Sequence, residues 1–284
     1  MMEQTFVNYR EATRGPLPQL HPHAVPLDAP TRFQCDSVWR HDQPLLQVLA
    51  AEYGDMRLDQ LEGSYGWCIK YSQEAKRVAL GIETLGELLQ LFEAGSDLPL
   101  PYLMHLSINR NLQQLREYFV APPQFRPNWV NLPWADRIGG PELFIGQKGT
   151  GFGPVHVDHV AVHVGFYQVS GEKRFLLFPP EDGQYLYRYR GAQFPWQLRN
   201  SRICGFNEGN YEQFPLLRQA SPRVITLRAG EALFMPANWW HTTLNLTDSV
   251  SYSVRIVNST NVLSTLGEYA RGIPRAIRRW SLAA

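Results

Sequence analysis

From residue 142 onward the chain reads as short runs rich in β-branched and aromatic residues, each closed by Gly, Pro, Asn or Asp. The runs are "ELFIG", "PVHVDHVAVHVGFYQVSG", "EKRFLLFPP", "RVITLRAGEALFMP", "WHTTLNL" and "SVSYSVRIV". A series of six or more such strands predicts a mainly β fold, one barrel or sandwich buttressed by flanking helices. The helices are expected on either side. "QPLLQVLAAEY" (43–53), "TLGELLQLFEAG" (84–95, with Gly95 as C-cap) and "NLQQLREYF" (111–119) have helical apolar spacing. Residues 1–35 are rich in proline and polar residues and read as an extended arm. The tail "NVLSTLGEYARGIPRAIRRW" returns to helix, its apolar stripe formed by Val262, Leu266, Tyr269, Ile273, Ile277 and Trp280. Gly272–Pro274 is expected to break it in two, and its arginines to form a solvated face.

Composition removes several functional classes. The formal net charge of +1 gives no overall field to recruit nucleic acid or an acidic membrane. There are 3 cysteines, Cys35, Cys68 and Cys204, with no CxxC pair, which argues against a disulfide framework or a cysteine zinc site. No apolar leader and no run of 18 apolar residues is present, so a cytoplasmic protein without a membrane span is expected.

Within "GPVHVDHVAVHV" (153–164) stand His156, Asp158, His159 and His163. Residues two apart share a face of a strand. His156 and Asp158 therefore point together, with Val160 and Val162, toward the inside; His159 and His163 point the other way. A carboxylate inside a barrel needs a cation or hydrogen bonds to compensate it. A metal ion would do so, and a hydrogen-bonded core pair is the plainer alternative. A metal needs a third ligand, and the remaining histidines are His21, His23, His41, His105 and His241. His21 and His23 sit in a proline-flanked loop and read as solvated. His241, in "AGEALFMPANWWHTTLNL", follows a Pro236–Ala237–Asn238 break and starts a strand that a barrel can bring opposite the first. Two histidines and a carboxylate on one side of an ion form the facial triad of non-haem Fe(II) oxygenases, although these donors also accept zinc. "GQKGTGFG" (146–153) lacks the GK[ST] order of a phosphate loop and opens a strand, so it is set aside.

The surrounding motifs are collinear: H-x-D, then a lysine in "SGEKRF" on an apolar strand ending in Pro-Pro, then "LY", "YEQFP", "GEALFMP" and "WWH". Over about residues 100–257 this order resembles the JmjC/cupin-like 2-oxoglutarate oxygenases, and within them the branch of the asparaginyl hydroxylase of hypoxia-inducible factor. The resemblance implies a double-stranded β-helix (jelly-roll) barrel in a single domain: arm and helical buttress in 1–99, barrel in 100–258, C-terminal helices in 259–284. It also implies Fe(II) held by His156, Asp158 and His241, with 2-oxoglutarate and O2 as cosubstrates. Lys173 matches the lysine that pairs with the distal carboxylate of 2-oxoglutarate, and Tyr102 a tyrosine that hydrogen-bonds it. Arg255, on the last strand, is a rival anchor of the kind many small-molecule oxygenases use; a guanidinium suits a carboxylate as well. His159 and His163 are expected to be structural or to support the ligands. Trp239 and Trp240 are expected to pack the turn and wall the site.

There are departures from that branch. Gly153 replaces a threonine and Val162 an asparagine. The segment from Asp158 to Lys173 is two residues longer, which predicts a bulge or longer turn and weakens the alternation argument beyond about residue 160. The implied activity is hydroxylation of a C–H bond in a peptide or protein side chain, or in a small biosynthetic molecule. A metal-binding sensor without turnover and a zinc-dependent isomerase or lyase are alternatives on the same barrel. The C-terminal apolar stripe implies a homodimer.

Overall fold

The computed structural model describes residues 28–63, 77–130, 140–189, 199–205 and 210–270. The expectations for His21, His23, Cys68, the Gly272–Pro274 break and the tail beyond it lie outside these residues.

Strands form where the sequence alternates. The early ones are β1 (Thr31–Gln34), β2 (Leu103–Ser107), β3 (Glu142–Gly146), β4 (Pro154–His156), β5 (His163–Ser170) and β6 (Glu172–Phe178). The later ones are β7 (Asn200–Cys204), β8 (Arg223–Arg228), β9 (Glu231–Met235), β10 (Trp240–Asn245) and β11 (Ser249–Ile256). They build two sheets, β1-β9-β5-β11-β3-β2 and β7-β4-β10-β6-β8, with every pairing between strands antiparallel. Sequence neighbours such as β5 and β6 fall in different sheets. This is the jelly-roll arrangement.

Period-2 alternation then sorts the side chains. On β11, Tyr252, Val254 and Ile256 face the helical side, while Ser253 and Arg255 face the space between the sheets. On β10, His241 and Thr243 face that inner space and Trp240 faces out. The inner space is filled at one end by Val162, Val164, Phe166, Phe175, Leu177 and Leu233. It is left polar at the other end, where the candidate site lies.

The helical side packs on the larger sheet. Helix Leu85–Glu93 begins with a capping box. Thr84 Oγ1 accepts from the Glu87 N–H, and the Glu87 carboxylate accepts from the Thr84 N–H. It ends where Gly95, at φ +64, follows the C-cap residue Ala94. Leu85, Leu88, Leu89 and Phe92 fall on one face and join the core beneath the sheet, each contributing about 1.5–3 kcal/mol on burial. Helix Leu45–Tyr53 packs beside it.

Two expectations are corrected. Residues 111–119 do not form one helix; a short α-helix, Ile108–Asn111, gives way to a 3-10 segment, Gln113–Tyr118. The stretch 154–164 is not one strand: β4 ends at His156 and β5 starts at His163. Of the expected dimerising stripe, Val262, Leu266 and Tyr269 lie on a helix over 262–270, with Leu266 exposed. No helix among the described residues is long and apolar enough to cross a membrane.

The turn by which the chain passes from β5 in one sheet to β6 in the other is made at Gly171, at φ +73, where an added Cβ would lie 2.0 Å from the Asp248 carbonyl oxygen. A side chain there meets both left-handed strain and fixed backbone. Gly171→Ala is expected to lower the unfolding free energy by about 2 kcal/mol or more in urea titration. Gly153→Ala, where nothing lies within 4 Å, is expected to stay within about 1 kcal/mol of wild type.

Candidate metal centre

His156 is the last residue of β4 and His241 the second of β10, and they sit directly opposite each other in the antiparallel pair. Their ring centroids are 4.2 Å apart. Asp158 follows two residues after His156, in extended conformation, and its Oδ2 lies 3.9 Å from His241 Nε2. One donor atom from each of the three falls within 4.8 Å of the others. The imidazoles are buried and the carboxylate half-buried.

The tautomers follow from the backbone. His156 Nδ1 is 3.1 Å from the Pro154 carbonyl and His241 Nδ1 is 3.2 Å from the Trp239 carbonyl. A carbonyl only accepts, so each Nδ1 carries the proton and each Nε2 carries the lone pair a cation needs. Phe152 stacks on the His156 ring at 3.9 Å, restricting its rotation. The donor set, two neutral imidazole nitrogens and one carboxylate on one side, fits a divalent transition metal with open positions.

The four-residue cluster does split as the sequence implied, but for a different reason. After Asp158 the chain kinks through Val160 (φ 61) and Ala161 (φ 48), both left-handed without being glycine. Each costs about 1–2 kcal/mol, and most for β-branched valine. The kink resets the register, in the segment where extra length predicted a bulge. His163 then faces away from the triad. Its Nδ1 accepts from the Ala237 N–H at 2.9 Å and its Nε2–H donates to Thr260 Oγ1 at 2.9 Å. Burial pushes its pKa down to about 4, and the incoming N–H agrees, because it occupies the site a second proton would need. His159 is partly buried beside Asp158, its pKa lowered first by burial and then by Arg199.

One cavity joins the triad to the expected cosubstrate residues. Tyr102, Phe144, Phe152, Lys173, Thr243 and Arg255 line it together with His156, Asp158 and His241. Lys173 reaches inward from β6. It is buried, its Nζ donates to the Tyr102 hydroxyl at 3.3 Å, and it lies 5.3 Å from the Phe144 ring centre. Burial alone brings its pKa from 10.5 down to about 7. Arg255 is in a different position. Its Nη1 donates to Glu142 Oε1 at 3.2 Å, and Glu142 Oε2 is 3.0 Å from His105 Nδ1. Glu142, His105, Thr243 and Phe152 are wall residues that sequence reasoning missed. Alternation along "ELFIG" puts Glu142 on the same face as Phe144, and that acid in an apolar strand was the available signal.

Neither tryptophan lines this cavity. Because His241 points in, its strand neighbour Trp240 must point out, and it packs against Gly183 and the core behind the smaller sheet. Trp239 joins the apolar end of the inner space, with Arg223 stacked on it at 5.2 Å. The expectation that they wall the site is therefore corrected.

A jelly-roll with two histidines and an aspartate converging on an inner cavity defines a cupin-type barrel with a candidate metal site. Residues 25–257 match the family described as the cupin-like domain, more than half of the chain, and the chain belongs to that family. Among individual proteins it is similar to the 2-oxoglutarate and iron-dependent oxygenase JMJD4 of Gallus gallus, at 27% identity over 63% of this chain and 42% of the relative. The Homo sapiens JMJD4 is 28% identical over 52% of this chain and 34% of the relative. HSPB1-associated protein 1 of Homo sapiens is 37% identical over 40% of this chain and 22% of the relative. The chain thus spans less than half the length of these relatives.

Lys173 generates a prediction. Its ordinary pKa is 10.5 and its folded value about 7, so between these values the unfolded chain binds more protons and stability rises with pH. Below pH 7 the full cost of burying an ammonium is present. Lys173→Met is expected to stabilise the ligand-free protein by a few kcal/mol (order of magnitude) at pH 6, the gain shrinking toward pH 10. Urea unfolding at the two pH values measures it; a variant less stable at pH 6 would contradict the assignment.

Proposed function

We propose that this chain is an Fe(II)- and 2-oxoglutarate-dependent oxygenase that hydroxylates a C–H bond, releasing succinate and CO2. The observation that carries the reading is the convergence of His156, Asp158 and His241, with both Nε2 lone pairs set by backbone carbonyls, on the cavity that holds Lys173. The similarity to proteins named as 2-oxoglutarate and iron-dependent oxygenases supports it.

The iron, with 2-oxoglutarate and O2, supplies the oxidising power for the C–H bond. The chain's residues do the rest. His156 and His241 would hold the ion through Nε2, and Asp158 through a carboxylate oxygen. Lys173, with the Tyr102 hydroxyl, would receive the distal carboxylate of 2-oxoglutarate. Its ammonium lies in an apolar wall, with the Tyr102 hydroxyl and the Phe144 ring beside it, and a carboxylate arriving there favours the charged form. Arg255 is engaged by Glu142, so it serves as wall rather than anchor. The apolar end of the barrel, around Phe166 and Phe175, closes the inner space behind the site and keeps water out. The motif likeness to the asparaginyl hydroxylase supports a peptide or protein side chain as substrate, with a small biosynthetic molecule as the other option.

The test uses purified protein made metal-free, then given Fe(II), 2-oxoglutarate and ascorbate. Wild type is expected to bind one equivalent of iron and to form succinate. His156→Ala and His241→Ala are expected to lose the metal. Lys173→Ala is expected to keep it while weakening 2-oxoglutarate binding by about 10²-fold, and Arg255→Ala to change that binding far less. A search of peptides treated with the enzyme for a one-oxygen mass gain then identifies the substrate. Wild type that binds no iron, or binds it and forms no succinate with any substrate pool, would refute the proposal.

A further inference from the structure

The two segments that carry the triad are tied to one hydrogen-bond network formed after β11. We infer that Asn261 and Thr265, acting with Thr260 and His163, are positioning residues for the metal centre. They hold the kink behind Asp158 and the turn ahead of His241 in the geometry that brings the three donors together. The inference rests on the reading of His156, Asp158 and His241 as metal ligands.

The first arm holds the kink. Asn261 Nδ2 donates to the Ala161 carbonyl at 3.1 Å and to the Ile256 carbonyl at 3.0 Å, and its Oδ1 accepts from the Asn258 N–H at 2.8 Å. Thr265 Oγ1 donates to the same Ala161 carbonyl at 3.3 Å. Ala161 is the second of the two left-handed residues that follow Asp158. Left-handed backbone at a valine and an alanine is not a conformation these residues choose; it persists because the surroundings dictate it. Two donors on one carbonyl are that dictation. Asn261 and Thr265 are both buried, so water does not substitute for them.

The second arm holds the turn. Asn258 Oδ1 accepts from the Thr260 N–H at 2.9 Å and from its hydroxyl at 2.7 Å. The Thr260 hydroxyl oxygen then accepts from His163 Nε2–H, and His163 Nδ1 accepts from the Ala237 N–H. Ala237 lies four residues before His241, in the turn where Asn238 is left-handed at φ 67. Every proton along this arm has one direction. The side chains of Asn258 and Thr265 do not line the metal cavity, yet the network ends on the backbone of both ligand-bearing segments. Rotation at Ala161 swings Asp158, and movement of Ala237 shifts the start of β10.

The test reads metal affinity, not activity. Metal-free protein is titrated with Co(II), following its visible absorption. Thr265→Val removes the hydroxyl and keeps the shape; Thr265→Ser keeps the hydroxyl; Asn261→Ala removes the first arm's main donor. Leu89→Ala, in the helical core, is the control for destabilisation alone. Thr265→Val and Asn261→Ala are expected to weaken Co(II) binding by about 10-fold or more and to change the absorption bands. Thr265→Ser is expected to bind as wild type does, and Leu89→Ala to lower the thermal midpoint without moving the affinity. A folded Thr265→Val with wild-type affinity and spectrum overturns the inference, as does a Leu89→Ala that weakens binding equally. If Asn261→Ala does not fold, the Thr265 pair decides. Wild type that binds no Co(II) overturns the ligand assignment and this inference with it, whereas wild-type binding with unmoved variants overturns this inference alone.

Discussion

Two imidazoles face each other across the β4–β10 pairing, and the barrel's polar end is arranged around that contact. β4 is only three residues long, so it cannot fix its own register. The register is imposed by its neighbours. β10 pairs over six residues with β6, the Gly205 N–H donates to the Gly153 carbonyl, and Arg199 donates to the Asp158 carbonyl at 2.7 Å. A slip of one residue would turn His156 out of the barrel and put Val155 or Val157 in its place. Close backbone approach enforces this. At Gly151 an added Cβ would lie 2.0 Å from the Thr243 carbonyl oxygen, so the strand carrying His241 lies against bare backbone.

The charges inside the cavity divide into two kinds. Glu142 and Arg255 face each other, and each offsets the cost of burying the other. Lys173 has a phenol and aromatic rings where an acid would be expected, and its lowered pKa expresses that cost. A buried cation kept in such surroundings destabilises the empty protein, and that cost is what favours Lys173 as the anchor in the proposed function. From the chain alone Lys173 and Arg255 were rival anchors, because each matches a cation used in a different group of the oxygenases it resembles. The distinction between them lies in Glu142, a partner 113 residues from Arg255 in the chain.

What could be read from the chain alone follows the same division between local and distant causes. The long alternating runs of β5, β6, β8, β9 and β11 announced themselves, because period-2 burial writes itself into composition. β1, β2 and β7 did not. β1 is four residues on a sheet edge, β7 ("NSRIC") is mostly polar, and β2 is interrupted by His105 at φ 58. His156, Asp158 and His241 were legible as candidates because a carboxylate expected inside a barrel needs a cation or hydrogen bonds, and the collinear motifs resembling the cupin-like oxygenases then favoured the metal over a core pair. The kink at Val160 and Ala161 was legible only as a bulge or longer turn somewhere between Asp158 and Lys173, not at its place. No glycine, asparagine or proline stands there, and the bonds that impose it come from Asn261 and Thr265, at separations of 100 and 104 residues. His163 does turn away from the triad, but through this kink and not along the continuous strand that the alternation argument assumed.

That separation has a meaning in time. A ribosome adding about 5–20 residues each second needs about 5–20 s to travel from Ala161 to Asn261, at the 100-residue spacing of their hydrogen bond. Through that interval His156 and Asp158 already exist as a pair of donors, without the opposing histidine for most of it and without the clamp that aims the carboxylate for all of it. An ion that arrives early meets two loose ligands on an unfinished sheet. The three donors of the proposed centre are held together only when the last strand and the turn beyond it are in place.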